Sequence, residues 1–188
     1  MDLTGVLKAK VCLVGEAAVG KTSLIRRYVE DAFDDKYIST LGAKVSLKKI
    51  WLTSKADPSK NLEVQLGIWD LIGERSYLAT LHQDYLRGAA GIIAVADVTR
   101  YSTFEALDEW LSATFRTTGA VPLAVVINKL DVKDQIMCLY DEQEPERKAA
   151  KHGGFAVWAS AKTGENVNSI FGKLAKSIVQ RVVLADRR

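Results

Sequence analysis

The residues with the clearest chemical potential lie in one run from Gly15 to Thr22, which reads GEAAVGKT. Apolar residues 11–14 precede this run and residues with helical periodicity follow it, a pattern that predicts a strand, a loop and a helix. Gly15 and Gly20 would let the backbone turn so that successive N–H groups point into one concavity. The helix N-terminus and Lys21 add positive charge, and Thr22 offers a hydroxyl suited to Mg²⁺. The run therefore predicts a phosphate-binding loop.

A second motif, Asp70-Leu71-Ile72-Gly73, comes directly after a predicted strand that ends at Trp69. A carboxylate at a strand end beside a phosphate loop can hold Mg²⁺. A following glycine can bring its N–H close to a terminal phosphate because it has no side chain in the way. The position of this motif therefore predicts further phosphate and metal contacts.

A third motif, Asn128-Lys129-Leu130-Asp131, follows the apolar residues 124–127. The Asp131 carboxylate could accept hydrogen bonds from N1–H and the 2-amino group of guanine, whereas adenine presents a bare acceptor at N1. Polar complementarity of this kind discriminates strongly between ligands. The stem of Lys129 could lie against the base while its charge stays in solvent. In a fourth and weaker motif, Ser160-Ala161-Lys162, a backbone N–H could reach a base carbonyl.

The pattern of the whole chain indicates how these motifs are brought together. Strands are predicted at residues 8–14, 43–53, 62–68, 91–98, 121–127 and 155–159, and helices at 21–30, around 78–86, at 104–115, 141–151 and 170–178. The alternation in the second and third strands predicts an antiparallel hairpin. Lysines 44, 48 and 49 on the first of these strands are interpreted as edge-strand protection. Strands that alternate with helices indicate an open α/β sheet, whose ligands bind at the carboxyl ends of the strands.

Composition limits the class of protein. The chain has 188 residues, 48% apolar and 26% charged, which predicts a single globular domain over residues 1–188. The net charge of +3 does not argue for nucleic-acid binding. Two cysteines without a disulfide pattern favour a reducing, cytoplasmic compartment. No apolar run approaches the ~20 residues of a membrane span, and no motif for a covalent membrane anchor is visible.

In order and spacing, the four motifs resemble those of the Ras superfamily of small GTPases, and most closely its Rab-like branch. The resemblance runs from about Lys8 to Val183 and includes Tyr37-Ile38-Ser39-Thr40-Leu41-Gly42, Ile68-Trp69-Asp70, Arg87-Gly88-Ala89 and Asp97-Val98-Thr99. It implies the small G domain of the P-loop NTPases, with a mixed, mostly parallel six-stranded sheet, one antiparallel edge strand and helices on both faces. The missing C-terminal cysteines would fit a prokaryotic or archaeal member.

The resemblance also implies GTP or GDP and Mg²⁺ as ligands, and it assigns roles to individual residues. Thr22, Thr40 and Asp70 would hold the metal, and Lys21, Thr40, Gly73 and Glu74 would take part in hydrolysis. Nucleotide contacts are expected from Gly15, Ala17, Ala18, Val19, Gly20, Lys21, Thr22, Ser23, Phe33, Tyr37, Thr40, Gly73, Asn128, Lys129, Asp131, Ser160, Ala161 and Lys162. Phe33 would pack against the guanine. A monomer is expected, with effector, exchange-factor or activating proteins contacting the switch loops.

The second motif departs from the family pattern Asp-Thr-Ala-Gly-Gln-Glu, since it continues as Gly73-Glu74-Arg75. Either Glu74 replaces the glutamine that orients the attacking water, or the glutamine is missing and Glu74-Arg75 match the residues after it. A carboxylate cannot donate a hydrogen bond to phosphoryl oxygens as an amide can, which predicts slow intrinsic hydrolysis. A second hypothesis makes Glu74 the general base.

Three function classes follow from these residues. The leading one is a GTP-hydrolysing switch, and a GTP-loaded adaptor with negligible turnover is the alternative that Leu71, Ile72 and Glu74 favour. A P-loop kinase for a small molecule is disfavoured by the Asn128–Asp131 motif.

Overall fold

A six-stranded sheet forms the centre of the molecule in a computed structural model that describes residues 5–34, 42–53, 61–74, 81–135 and 140–185, with the backbone alone at 81 and 82. The strands are β1 Gly5–Val14, β2 Ala43–Thr53, β3 Asn61–Leu71, β4 Gly91–Asp97, β5 Leu123–Asn128 and β6 Phe155–Trp158. Their order across the sheet is β2-β3-β1-β4-β5-β6. Only the β2–β3 pair is antiparallel. The predicted mostly parallel sheet with one antiparallel edge strand is confirmed.

Helices cover both faces of this sheet. They are α1 Lys21–Glu30, α2 Leu81–Leu86, α3 Tyr101–Glu105, α4 Leu107–Thr118, α5 Glu144–Ala150 and α6 Val167–Ala185, with a short 3₁₀ helix at Leu130–Gln135. Helices α1 and α6 pack on one face, and α2 to α5 contribute to the core on the other. Because both faces are covered, every residue of β4 and β5 is buried, which explains their continuous apolar sequences.

Several boundaries differ from the predicted ones, and two of them affect the second and third motifs. Strand β3 continues to Leu71, so Asp70 lies inside the strand and not after it. The continuation has a physical reason, because Leu71 is buried and pairs in register with Ala43 of β2. Strand β5 similarly includes Asn128 as its last residue.

The helical predictions are also corrected at two places. The single helix predicted over residues 104–115 is two helices, α3 and α4, and Thr103 fixes the first because its hydroxyl donates to the Arg100 carbonyl and accepts from the Asp97 N–H. Helix α5 begins at Glu144, with Pro145 in its first turn, where the missing N–H has no intrahelical partner to lose. Within the described ranges, none of the helices combines the length and apolar character that crossing a membrane requires.

One aromatic contact joins α1 and α6 on the same face of the sheet. The rings of Tyr28 and Phe171 stack with centroids 3.9 Å apart and planes 6° apart. We expect Phe171→Ala to lower the free energy of unfolding by about 3–5 kcal/mol, because it opens a cavity between the two helices. Chemical denaturation measures this change. Val182→Ala, on the exposed side of α6, is the matched control and should change it by less than about 0.5 kcal/mol; equal effects would contradict the expectation.

Candidate functional site

A cavity of about 990 Å³ opens at the carboxyl ends of the parallel strands, within the size range of small-molecule sites. Residues from all four motifs line it, namely Ala17, Ala18, Gly20, Lys21, Thr22, Ser23, Asp70, Gly73, Glu74, Asn128, Lys129, Asp131, Ala161 and Lys162, together with Phe33. Gly15, Val19 and Ser160 are buried behind this lining. Tyr37 and Thr40 lie outside the described residues. The four motifs, far apart in the chain, therefore meet at one cavity.

The glycines of the phosphate loop are required by close packing. Gly15 has a φ of 132°, and a Cβ there would overlap the backbone carbonyl of Val95. Gly20 has a φ of 97°, and a Cβ there would overlap the side-chain amide of Asn128. A side chain at position 15 would have to move strand β4, and a side chain at position 20 would have to move Asn128.

Lys21 is a buried positive charge in the lining of the cavity. Its ammonium donates to the carbonyls of Gly15 and Glu16, both at 2.8 Å. Burial lowers the pKa of Lys21 to about 8, against the opposing influence of the Asp70 and Glu16 carboxylates. Gly73 packs on this group so closely that a Cβ would overlap Lys21 Nζ and lie 2.6 Å from the Glu16 carbonyl. The segment that ends in Glu74 is thus in direct contact with the phosphate loop.

A hydroxyl and a carboxylate lie together where a metal ion is predicted. The Thr22 hydroxyl donates to Asp70 Oδ2 at 2.5 Å, and Asp70 is 2% exposed. These oxygen ligands fit Mg²⁺, which proteins bind through one or two side chains and substrate phosphates. In the described part of the chain no group of three or more His, Cys, Asp or Glu could hold a metal on its own. The remaining ligands of an ion here would be phosphate oxygens, water and Thr40, which lies outside the described residues.

We call the part of the cavity lined by Asn128, Asp131 and Ala161 the base end. The side chain of Asn128 organises it. Its Nδ2 donates to the Val19 carbonyl at 2.9 Å, and its Oδ1 accepts from the Ala161 N–H at 3.1 Å. One buried amide thus connects the phosphate loop to the loop after β6. Nearby, the Ser160 hydroxyl donates to Asp131 Oδ1 at 2.6 Å. This bond holds the Asp131 carboxylate at the lining of the cavity.

A buried carboxylate that the motifs do not include links the two ends of the site. Asp97 is fully buried, and its Oδ2 accepts from Lys129 Nζ at 2.6 Å and from Arg100 Nε at 3.1 Å. Arg100 Nη2 also donates to the Ala17 carbonyl at 3.0 Å. Although burial opposes it, hydrogen bonds from Lys129 and Thr99 hold the pKa of Asp97 below its usual range. This ion pair holds the Lys129 ammonium while the Lys129 side chain remains 39% exposed.

A second contact missed by the sequence analysis supports the phosphate loop from α4. Trp110 is fully buried and its indole N–H donates to Glu16 Oε1 at 3.2 Å. The sequence did contain a signal for Asp97 as a site residue, because Asp97 is a carboxylate at the end of an apolar strand. Trp110 gave no such signal, because its spacing is that of an ordinary core residue.

A phosphate loop, a hydroxyl–carboxylate pair and a fixed carboxylate at the base end, all at one edge of a mostly parallel sheet, define a nucleotide-binding protein of the P-loop class. The chain belongs to the Ras family, whose model matches residues 10–180. It is a Rab-like small GTPase, a switch that binds GTP and GDP and hydrolyses GTP. Members of this family generally bind Mg²⁺ with the nucleotide, and they interact with effector, exchange and activating proteins.

Curated relatives agree with this assignment. The chain is 34% identical to the Ras-related protein Rab-18 of Caenorhabditis elegans over 179 residues, covering 94% of this chain and 83% of that protein. It is 34% identical to Rab-18-B of Danio rerio over 182 residues, covering 96% and 83%. It is also 34% identical to the Ras-related protein SEC4 of Candida albicans (strain WO-1) over 175 residues, covering 93% and 79%.

The ion pairs of Asp97 lead to a prediction for Asp97→Asn. We expect the free energy of unfolding to fall by about 2 kcal/mol, because an amide replaces the charged acceptor of Lys129 and Arg100. The folded carboxylate has the lower pKa, so its contribution is complete above the unfolded pKa and is lost as the pH falls through the folded one. The difference between wild type and variant should therefore narrow below about pH 4.

Chemical denaturation at several pH values measures this difference. Asp141→Asn is the matched control, since Asp141 pairs with Arg147 on the surface and should contribute little. A difference that persists unchanged at acid pH would count against the role assigned to the Asp97 charge.

Proposed function

We propose that this GTPase hydrolyses GTP slowly without a partner. We further propose that its four motifs form a guanine-nucleotide site. The observation that carries the guanine assignment is the hydrogen bond from Ser160 to Asp131. It leaves the other carboxylate oxygen able to accept from the N1–H and 2-amino groups of guanine. Adenine has no donor at N1, so the same carboxylate would disfavour it.

The phosphates would be held at the N-terminus of α1. Backbone N–H groups of the loop formed by Gly15, Glu16, Ala17, Ala18, Val19 and Gly20 would face the phosphates, and the first residues of α1, Lys21, Thr22 and Ser23, would complete the site. The Lys21 ammonium already lies among backbone oxygens at this place, so phosphate oxygens would compete with two carbonyls for it. Thr22 and Asp70 would hold Mg²⁺ together with Thr40. When bound, the ion would neutralise charge on the phosphoryl oxygens.

The purine would lie between two sets of side chains. Lys129 would cover one face with its stem, in a position fixed by Asp97. Phe33 lines the cavity from the segment after α1 and would pack against the base, with Tyr37 covering the nucleotide nearby. Asn128 would hold the phosphate loop against the loop of Ser160, Ala161 and Lys162, called the base loop. There the Lys162 N–H, and the Ala161 N–H that is shared with Asn128 Oδ1, would meet the 6-oxo group.

Hydrolysis would depend on Gly73, Glu74, Lys21 and Thr40. The Gly73 N–H would approach the terminal phosphate, because the contact of Gly73 with Lys21 Nζ puts it next to the phosphate loop. Glu74 is exposed and lines the cavity. In the glutamine position it would accept hydrogen bonds from water without donating one to the phosphoryl oxygens, and it would add negative charge beside the triphosphate. Both effects favour slow turnover.

A GTP-loaded adaptor with negligible turnover is the second candidate. It is favoured by the segment before Glu74, where Leu71 and Ile72 are buried and the Ile72 N–H donates to the Gly42 carbonyl at 3.1 Å. Because these contacts hold the segment in place, it would resist a rearrangement that puts a residue other than Glu74 beside the attacking water. In either case we propose a monomer with one domain over residues 1–188 that signals through the segments around Thr40 and Asp70.

Asp131→Asn tests the base assignment. The amide presents a donor where the carboxylate presents only acceptors, so it complements the 2-oxo group of xanthine better than the 2-amino group of guanine. We expect affinity for GDP to fall at least about a hundredfold and affinity for xanthosine diphosphate to rise. Competition binding against a fluorescent GDP measures both, with ADP as a further competitor.

Asp134→Asn, three positions further along the 3₁₀ helix and outside the cavity lining, is the control and should leave the preference unchanged. If the wild type bound ADP as well as GDP, or if Asp131→Asn lost both guanine and xanthine nucleotides equally, the base assignment would be wrong.

Glu74→Gln tests the hydrolysis proposal. An amide can donate to the phosphoryl oxygens while it accepts from water, so we expect the single-turnover rate of GTP hydrolysis to rise at least about tenfold. The control is Glu105→Gln, an exposed residue of α3 outside the cavity lining. An unchanged or lower rate for Glu74→Gln would argue that Glu74 does not occupy the glutamine position or that it acts as the general base.

A further inference from the structure

One guanidinium on α1 contacts both segments that border the base end of the cavity. Arg27 Nε donates to the Ala161 carbonyl at 2.9 Å, and Nη2 donates to the Lys162 carbonyl at 2.7 Å. On its other side, Nη1 donates to the carbonyl and to the carboxylate of Asp31, both at 3.2 Å. None of the four motifs contains Arg27.

The two carbonyl contacts are the substantial part of this arrangement. The Arg27 side chain is 19% exposed, whereas the Asp31 carboxylate is 93% exposed, so this ion pair is a surface pair of small energetic value. The bonds to Ala161 and Lys162 are charge-assisted and join positions 134 and 135 residues apart. A planar guanidinium can direct two donors at two successive carbonyls, which a lysine ammonium cannot match in geometry.

The contact with the Ala161 carbonyl fixes the direction of one backbone N–H group in the base loop. In a trans peptide the C=O and the N–H of one unit point in opposite directions. The Ala161 carbonyl points to Arg27, so the N–H of Lys162 is directed away from α1. Ala161 and Lys162 both line the cavity. Arg27 thus sets the direction of the Lys162 N–H, whereas Asn128 Oδ1 accepts from the Ala161 N–H.

The contacts of Arg27 with Asp31 reach the segment after α1, which also borders the cavity through Phe33. Asp31 follows α1 with a φ of 52°, and its N–H donates to the Arg27 carbonyl. Phe33 comes two residues later and lines the cavity. Because α1 also begins with Lys21 and Thr22 at the phosphate end, Arg27 connects the base loop to the same helix that would hold the phosphates.

We propose that Arg27 is a positioning residue for base recognition, which holds the Ala161 carbonyl so that the N–H of Lys162 meets the 6-oxo group of guanine. The inference rests on the proposed guanine site. It predicts that loss of Arg27 weakens discrimination at the 6-position of the base and leaves the Asp131 contacts at N1 and the 2-amino group in place.

The test compares release of GDP and of 6-thioguanosine diphosphate from wild type, Arg27→Lys and Arg27→Ala. The thio analogue keeps the N1–H and 2-amino groups, but sulfur is a poorer acceptor than oxygen. We expect wild type to release the analogue faster than GDP. Both variants should release GDP roughly tenfold faster than wild type, with a much smaller change for the analogue, so that the ratio of the two rates approaches one. Arg27→Lys keeps the charge and serves if Arg27→Ala does not fold.

Asp31→Asn is the matched control, because it removes only the exposed carboxylate and asparagine tolerates a positive φ. It should leave both rates within about twofold of wild type. Equal acceleration of both nucleotides in the Arg27 variants, or no acceleration of GDP release, would overturn the inference while the preference of the wild type for GDP over ADP still stood. If the wild type itself showed no such preference, the proposed guanine site would fail first.

Discussion

The cavity depends on one buried side-chain amide, because Asn128 contacts both of its ends through its own hydrogen bonds. Its two hydrogen bonds reach the carbonyl of Val19 in the phosphate loop and the N–H of Ala161 in the base loop. Asn128 is 1% exposed, so water cannot replace either bond. Leaving a buried backbone group without its partner costs about 1–3 kcal/mol. The geometry of the base end therefore depends on the geometry of the phosphate end. Gly20 must lack a side chain, because a Cβ there would overlap the Asn128 amide.

Three charged residues outside the motifs make two further connections of the same kind. Asp97 joins Lys129 to Arg100, which holds the carbonyl of Ala17. Arg27 joins helix α1 to the base loop. All three connections run between a segment of the phosphate half and a segment of the base half. Residues that would touch the ligand are thus held in part by side chains outside the expected contacts, namely Asp97, Arg100 and Arg27, which is how a site keeps its geometry on a surface of loops.

Much of this could be predicted from the sequence, because apolar strands and the polar residues after them leave a local pattern. The features that could not be predicted depend on interactions between distant residues, because such interactions leave no local pattern in the sequence. The predicted strand ended before Asp70 because the apolar alternation ends at Ile68, and the pairing of Asp70 with β1 and β2 shows that the strand continues. Arg27 and its carbonyl partners lie more than a hundred residues apart, and a backbone carbonyl carries no sequence signal. Val45 and Leu47 contributed to the strand pattern but are exposed in β2, since the edge of the sheet is covered on one face only.

The contact between Gly73 and Lys21 would connect the proposed phosphate site directly to the segment around Gly73. A ligand shifts a conformational equilibrium only by interacting differently with its two states. The Lys21 ammonium donates to the carbonyls of Gly15 and Glu16, so a terminal phosphate that drew it away would change the surroundings of Gly73 at van der Waals distance. No intermediate element is needed, because the backbone at Gly73 touches both Lys21 and Glu16. A side chain at position 73 would separate these groups, and the segment after it would then respond to the phosphate less directly or not at all.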